Sequence, residues 1–461
     1  MKNPLKTLSS LDDRLCEAIV AQLNRPLAGA CRAAIYPVAA ALGFFSAYFI
    51  GNTAAAESLL YALVFMLWCA AFFSRARMRG MDVLLSGATL FALFSARMAA
   101  LPVISPDCSE YLLPWAQKME GMSFGDIMRG RVGDYTVLYQ YFVFLLSRLP
   151  LDRVVLYKLL SITFEPLLAY SAASLVSLAR SWEDGSRRAA LVFLSVLAVP
   201  TVFLNSAVWA QCDAIYAAFA LYGVLSILKQ RPHIGCAALA VALSLKLQTI
   251  FILPVCALML FWRKLSLRHA VTAIGTMMLI ALPALLCGKG IKGVIGVYLY
   301  QMDEYRDLVL NAPTIFQMIP TSTSTLKLIL TNSDAEKAGI LLAGAAACAV
   351  LCLGAQRRKP SATLVIDICF TLCVCIPFLL PHMHERYFFL ADILSIVYAA
   401  IHPRRAYAPV IMISCSLSCY CFYLFESYLA GFSQFFLPMI VLCAATAALL
   451  ARDVQRFGKE S

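Results

Sequence analysis

From residue 34 to residue 450 the chain is a series of apolar runs, separated by short segments in which arginine and lysine collect. A helix needs about 20 apolar residues to cross the hydrocarbon core of a bilayer, and no soluble core could take up so many such runs. With 61% hydrophobic and only 14% charged residues, and a mean hydropathy of +0.78, a soluble multidomain protein is excluded. The fold class is all-α integral membrane, as a single polytopic domain over residues 1–461.

A net charge of +12 raises nucleic acid as a partner, but the positive residues form no stripe. They sit in the loops, as cytoplasmic segments of membrane proteins require, so the partner is the lipid bilayer and no nucleic acid is expected. The first apolar run starts near Ala33, after a charged segment, so no cleavable signal is expected. The seventeen cysteines, such as Cys369, Cys373 and Cys375, lie within apolar runs and read as small apolar helix residues.

Runs at 34–50, 58–74 and 83–104 place Lys2, Lys6, Arg14, Arg25, Arg32 and the loop with Arg75, Arg77 and Arg79 inside, and Ser105 outside. The stretch 135–149 is too short to span and reads as an interfacial helix, whereas 154–179 crosses to Arg180, Arg187 and Arg188. Runs at 189–205 and 210–228 come next, and 234–262 must break near Lys246-Leu247-Gln248, because it starts and ends on the same side. Runs at 269–287, 338–355, 361–380, 387–402, 407–425 and 431–450 complete fourteen spans with both termini cytoplasmic. In this arrangement 24 of the 38 Lys and Arg fall in the inner segments, against 8 of the 26 Asp and Glu. The segments are a tail with two extra helices (1–82), a first module (83–287), a long amphipathic outer loop (288–337) and C-terminal helices (338–461).

Polar groups that a membrane bundle does not need then gather on the extracytoplasmic side. Asp107 comes just after the third run; it either caps the next helix, with Ser105 as the alternative cap, or serves as a general base toward a hydroxyl, with Tyr111 and Trp115 as a stacking wall. Glu110, three residues on, shares its helical face and would help hold a divalent ion. Asp134 is either an N-cap or a second acid for an acceptor. Arg97 lies inside the third run, where it snorkels to headgroups or pairs with a phosphate or loop acid. Asn205 to Asp213, with Trp209 and Gln211, forms a polar hairpin. Lys246 and Gln248 stand at a helix break, tolerated at membrane depth where it lines a polar cavity. His382-Met383-His384-Glu385-Arg386 lacks a third metal ligand at recognisable spacing; Arg386 at a helix start suits a phosphate, or else is an interfacial arginine.

Taken in order, the acidic first outer loop, Asp134-Tyr135-Thr136-Val137-Leu138-Tyr139, Trp209-Ala210-Gln211-Cys212-Asp213, Lys246-Leu247-Gln248 and His384-Glu385-Arg386 resemble the type C (GT-C) membrane glycosyltransferase superfamily. The likeness is to its polyprenyl-phosphate-sugar-dependent branch, which includes the endoplasmic reticulum glucosyltransferases that extend lipid-linked oligosaccharide, the second mannosyltransferase of glycosylphosphatidylinositol synthesis and bacterial relatives. It runs from about residue 83 to residue 400, and Cys108 departs from the aromatic often found after the family's aspartate.

The resemblance implies inverting transfer of a hexose, mannose or glucose, from a polyprenyl monophosphate sugar to a hydroxyl on a glycan, glycolipid or protein acceptor. Asp107 falls where the family has its base. Lys246, Gln248, His384 and Glu385 fall where it contacts donor phosphate and sugar, and Glu110, Trp115, Asp134, Gln211, Asp213, His382 and Arg386 join them as expected substrate-binding residues. No cofactor or metal is implied. A bacterial plasma membrane is expected, with the site extracytoplasmic. The rivals are a flippase for a lipid-linked saccharide, which would put polar groups nearer the midplane, and a ligase using a polyprenyl diphosphate oligosaccharide, which would need more outer arginines.

Overall fold

The computed structural model describes residues 29–74, 80–130, 132–133, 135–303, 307–318, 332–427 and 436–458. The helices are α1 (Gly29–Phe45, continued by a π turn Ser46–Ile50), α2 (Ala55–Phe73), α3 (Gly80–Ala99), α4 (Leu113–Glu120), α5 (Phe124–Arg129), α6 (Val137–Ser147) and α7 (Arg153–Arg180). Then come α8 (Arg187–Leu197), α9 (Pro200–Phe203), α10 (Asp213–Leu228), α11 (Pro232–Leu245), α12 (Val255–Phe261), α13 (Leu267–Leu286) and α14 (Ile291–Asp303). The last are α15 (Asn332–Ala355), α16 (Ala362–Leu379), α17 (Phe389–Ile401), α18 (Tyr407–Phe425) and α19 (Phe436–Gly458). Two short strands, β1 (Val309–Leu310) and β2 (Met383–His384), pair in parallel.

Nine helices among the described residues are long and apolar enough to cross a membrane, and the pair Arg187–Ala198 and Pro200–Val208, bent by 53°, makes up to one more. Their outer faces are greasy: on α13, Leu267, Val271, Ile274, Met278 and Leu282 are all exposed at the three-to-four-residue spacing of one helical stripe. Such a stripe suits lipid, not water. The all-α membrane architecture therefore stands on span length and on outward-facing apolar residues alike. Helices α10, α11 and α17, with 16, 14 and 13 residues, are shorter than the ~30 Å core needs at 1.5 Å per residue.

Around α7, 28 residues long, the bundle is assembled; it packs on α2, α8, α10 and α17. Lys158, Ser161 and Glu165 on it each hold a neighbour. Lys158 is fully buried and its Nζ donates to the carbonyls of Ala100, Leu101 and Val103 at 2.6 to 3.0 Å. These are carbonyls just beyond the end of α3, which stops at Ala99 and not near residue 104 because Pro102 has no N–H to carry the helical ladder on. Ser161 donates to the Gln211 carbonyl at 2.6 Å. Pro166 has no N–H for the carbonyl four residues back, and the Trp68 indole N–H takes that Ile162 carbonyl at 3.1 Å.

Arg97 does not snorkel. Its Nε meets Glu165 of α7 at 2.6 Å, its Nη groups donate to the Leu93 and Leu197 carbonyls, and its guanidinium stacks over Trp68 at 4.9 Å. Both partners of this ion pair are sealed from solvent, and a buried arginine stays charged, so pairing within the bundle costs less than reaching the headgroups from that depth. Glu165→Ala should strand the Arg97 charge and lower stability by about 3–5 kcal/mol. Replacing both residues by leucine should restore most of the loss in thermal unfolding of the detergent-solubilised protein; equal melting of the single variant and the parent would rule the pair out as a stabilising element.

Candidate functional site

The segment that follows α3 turns straight back into the bundle. Ser105 caps the next turn, its Oγ accepting from the Cys108 N–H at 3.2 Å and donating to the Trp209 carbonyl at 2.9 Å. Asp107 makes no capping hydrogen bond and already has helical dihedrals, φ −57° and ψ −36°, unlike the extended geometry of an N-cap. Its side chain points inward instead. Oδ2 accepts from Trp209 Nε1 at 2.9 Å, Gln211 Nε2 at 2.7 Å and Arg386 Nη1 at 3.1 Å, and Oδ1 accepts from the Tyr423 hydroxyl. Four donors from three remote stretches of chain meet on one buried carboxylate.

Trp209 and Gln211 are placed by local irregularities. Residues Leu204–Val208 form a π turn, and Ala210 takes a left-handed φ of 63°, so the chain reverses within the bundle and brings Trp209 and Gln211 to bear. Tyr135 donates to Gln211 Oε1 at 3.1 Å, fixing the amide so that its NH2 faces Asp107. Trp115 touches Tyr135 edge-on at 5.5 Å and lies against Tyr111. It also covers Gly133, whose φ is +72° and where a Cβ would meet the indole at 2.6 Å; only glycine fits there. Tyr423 stacks on Trp209 at 4.7 Å, and Arg386 lies over the same ring at 5.4 Å.

A second charged pair lies nearby. Helix α11 ends at Leu245, Lys246 is extended with φ −148° and ψ 137°, and Leu247–Phe251 continues as a 3-10 turn. The break falls at the lysine and glutamine where the sequence pattern puts it. Thr136 caps the broken end by donating to the Ser244 carbonyl at 2.5 Å. Lys246 Nζ reaches Asp213 Oδ1 at 2.6 Å, and Asn205 donates to Asp213 Oδ2 at 2.7 Å. Gln248 is buried on the turn, and its Oε1 has no hydrogen-bond donor among the described residues.

The outer loop holds the third element. β1 pairs with β2 in the register Val309 to Met383 and Leu310 to His384, setting the turn Glu385–Phe388 against α18. Glu385 is buried; its Oε1 lies 3.6 Å from Arg386 Nη1 and 3.9 Å from His384 Nδ1, yet neither oxygen accepts a hydrogen bond from the described residues. Burial pushes its carboxyl up to about 7, with Arg386 opposing. Burial, then the charges of Arg386 and Lys246, hold His384 well below its ordinary value, so the imidazole is neutral. On Arg386 burial works against the charge, but Asp107 and Glu385 outweigh it and strengthen the proton's hold.

Of the residues singled out in the sequence, Asp107, Gln211, Asp213, Lys246, His384, Glu385 and Arg386 come together, and Trp115 joins them through Tyr135. Asp134 lies outside the described residues. Glu110 is exposed and does not share the face of Asp107: Cys108–Leu112 is a π turn, whose wider winding breaks the three-residue spacing of an α-helix. His382, left-handed at φ 59°, turns to the outer loop instead, with its Nδ1 2.8 Å from the Asp307 carbonyl and its Nε2 3.7 Å from Glu336. Among the described residues no group of three or more His, Cys, Asp and Glu side chains gathers as a metal site.

Sequence reasoning misses Tyr423, and it misses the parts played by Asn205 and Tyr135. The signal for Tyr423 is slight: it and Tyr420 sit three apart in a helix otherwise rich in small and apolar residues. Beside the site, Val137, Leu138, Ile274, Met278, Ile291 and Ile295 line an apolar groove between α6, α13 and α14 that also touches Ser244 at the helix break. Next to it, Arg129 and Lys289 line a smaller pocket that reaches Tyr135.

A scan against protein-family models matched no family, and a search of curated proteins found no similar chain.

A carboxyl raised by burial binds more protons in the folded chain than in the unfolded one between the ordinary value of 4.5 and about 7. Stability must therefore fall as pH rises through that window. Glu385→Gln should flatten this slope, leaving the variant more stable than the parent at pH 8 by roughly a few kcal/mol and no more stable at pH 4.5. Parallel melting curves of the two proteins from pH 5 to pH 8 would refute the assignment.

Proposed function

We propose that the chain is an inverting hexosyltransferase of the GT-C membrane type. It moves mannose or glucose from a polyprenyl monophosphate sugar to an acceptor hydroxyl on the extracytoplasmic face of the membrane. The observation that carries this reading is the convergence on one buried site of a carboxylate, Asp107, with two cations, Arg386 and Lys246, drawn from separate stretches of chain.

The chemistry needs these groups. As the acceptor oxygen attacks the anomeric carbon, its proton passes to a carboxylate, here Asp107. The bond between the anomeric carbon and the phosphate oxygen breaks with its electron pair, and negative charge grows on the leaving phosphate. Cations already in place lower the energy of that state, a role that falls to Arg386 and Lys246. Gln211, Asp213, Glu385 and neutral His384 supply hydrogen-bonding groups for sugar hydroxyls, and Trp115 offers an aromatic face. The apolar groove between α6, α13 and α14 is suited to a polyprenyl chain, and Arg129 and Lys289 add positive charge at its edge.

In this reading the fourteen crossings are the nine long helices, the bent pair, the short helices α10, α11 and α17, and the interrupted stretch from Gln248 to Trp262. Short and broken spans are tolerated where neighbouring protein, not lipid, surrounds them, as it does α10. The membrane is taken to be a bacterial plasma membrane, with both termini cytoplasmic.

The test is turnover of a panel of labelled polyprenyl-phosphate sugars by the purified protein in lipid nanodiscs, beside Asp107→Asn. One donor should be turned over by the parent, with the variant at least about 10²-fold slower, as expected for loss of a general base, while still binding donor. Undiminished turnover by the variant would take the base away from Asp107. Movement of labelled lipid across the bilayer without turnover would replace the transferase by a flippase.

A further inference from the structure

A general base has to offer an oxygen lone pair to the incoming hydroxyl at hydrogen-bond distance. In the arrangement around Asp107 the carboxylate is already engaged by an indole N–H, an amide, a guanidinium and a phenol. Three of these donors meet on Oδ2, which has two lone pairs to offer, and the phenol is on Oδ1. Oδ2 is therefore overcrowded, and its three donors are not equally free to leave.

Trp209 and Gln211 are anchored. Both are buried, their backbone carbonyls are tied to Ser105 and Ser161, and the Gln211 amide is further held by Tyr135. Tyr423 is stacked on the Trp209 ring. Arg386 is held differently. Its Nε has no hydrogen-bond acceptor among the described residues, its Nη1 lies beyond hydrogen-bond range of Glu385 at 3.6 Å, and the flat Trp209 ring beneath it constrains height but not lateral position. It is also the one donor of the four that a phosphate attracts by full charge.

We infer that Arg386 is a lock on Asp107, and that the phosphate of a lipid-phosphate donor releases it by drawing the guanidinium off the carboxylate. This rests on the reading of the site as one for a lipid-phosphate sugar. The exchange replaces one oxyanion partner of Arg386 by another, so the cation stays paired throughout while Oδ2 keeps the two donors that its two lone pairs can hold. Donor must then bind before Arg386 leaves Asp107, and until it does the guanidinium covers the Oδ2 side of the carboxylate. By linkage, whatever holds Arg386 on Asp107 is subtracted from the affinity for phosphate.

The lock therefore predicts that removing the base improves donor binding. Polyprenyl phosphate without sugar is titrated into the full-length protein in nanodiscs, comparing the parent, Asp107→Asn, Arg386→Gln and the double variant. Asp107→Asn should bind it at least about fivefold more tightly than the parent, the lower range of a coupling between sites. The double variant should bind no better than Arg386→Gln alone. In the unaltered chain the same titration should change the emission of Trp209, identified as the part missing from Trp209→Phe. Equal or weaker binding by a folded Asp107→Asn, or an unchanged Trp209 signal on saturation, overturns the lock while leaving the lipid-phosphate reading in place. No binding by either the parent or Asp107→Asn overturns that reading and the lock with it.

Discussion

A single carboxylate with four hydrogen-bond donors is the interaction on which the candidate site of this molecule is built. Asp107 draws Trp209 and Gln211 from the bent hairpin, Arg386 from the late turn and Tyr423 from α18. An anion buried among apolar helices is tolerated only when it is fully engaged, and engagement here requires three distant segments to arrive together. The same condition that stabilises the buried charge also defines the shape of the site.

Behind that cluster stands α7, whose side chains act as fasteners and not as reactants. Lys158 ties down the chain beyond α3 by three of its carbonyls; Ser161 holds the hairpin by the Gln211 carbonyl; Glu165 takes the charge of Arg97. Their positions, one helical turn apart at each step, keep them along one side of the helix. A hydrophobic tally of α7 sees only interruptions in a long apolar span. Packed in place, those interruptions set the height of the site relative to the bundle.

Much of this can be read from the sequence, for reasons tied to particular residues. The membrane class comes from the length and number of apolar runs, and the break at Lys246 from a chain that must return to the side it left. Asp107 stands out because an acid directly after an apolar helix is costly unless used. Register and reach are harder to read. The α-helical spacing puts Glu110 beside Asp107, but a π turn rotates it to solvent. Sequence proximity groups His382 with its neighbours, but a left-handed φ turns it to the outer loop. Tyr423 lies more than three hundred residues from the carboxylate it touches, and only the packing of α18 against the turn Glu385–Phe388 brings them together. Arg97 pairs with Glu165 of α7, a partner far along the chain that hydropathy does not reveal.

The small parallel pairing of Val309 with Met383 and Leu310 with His384 ties the long outer loop to the turn that carries Glu385 and Arg386. Side chains alternate in direction along a strand, so a slip of one residue would swap the faces of Met383 and His384. The register of this two-residue pairing is thereby tied to the orientation of an imidazole beside the site, so that a contact between two loops sets which face His384 presents.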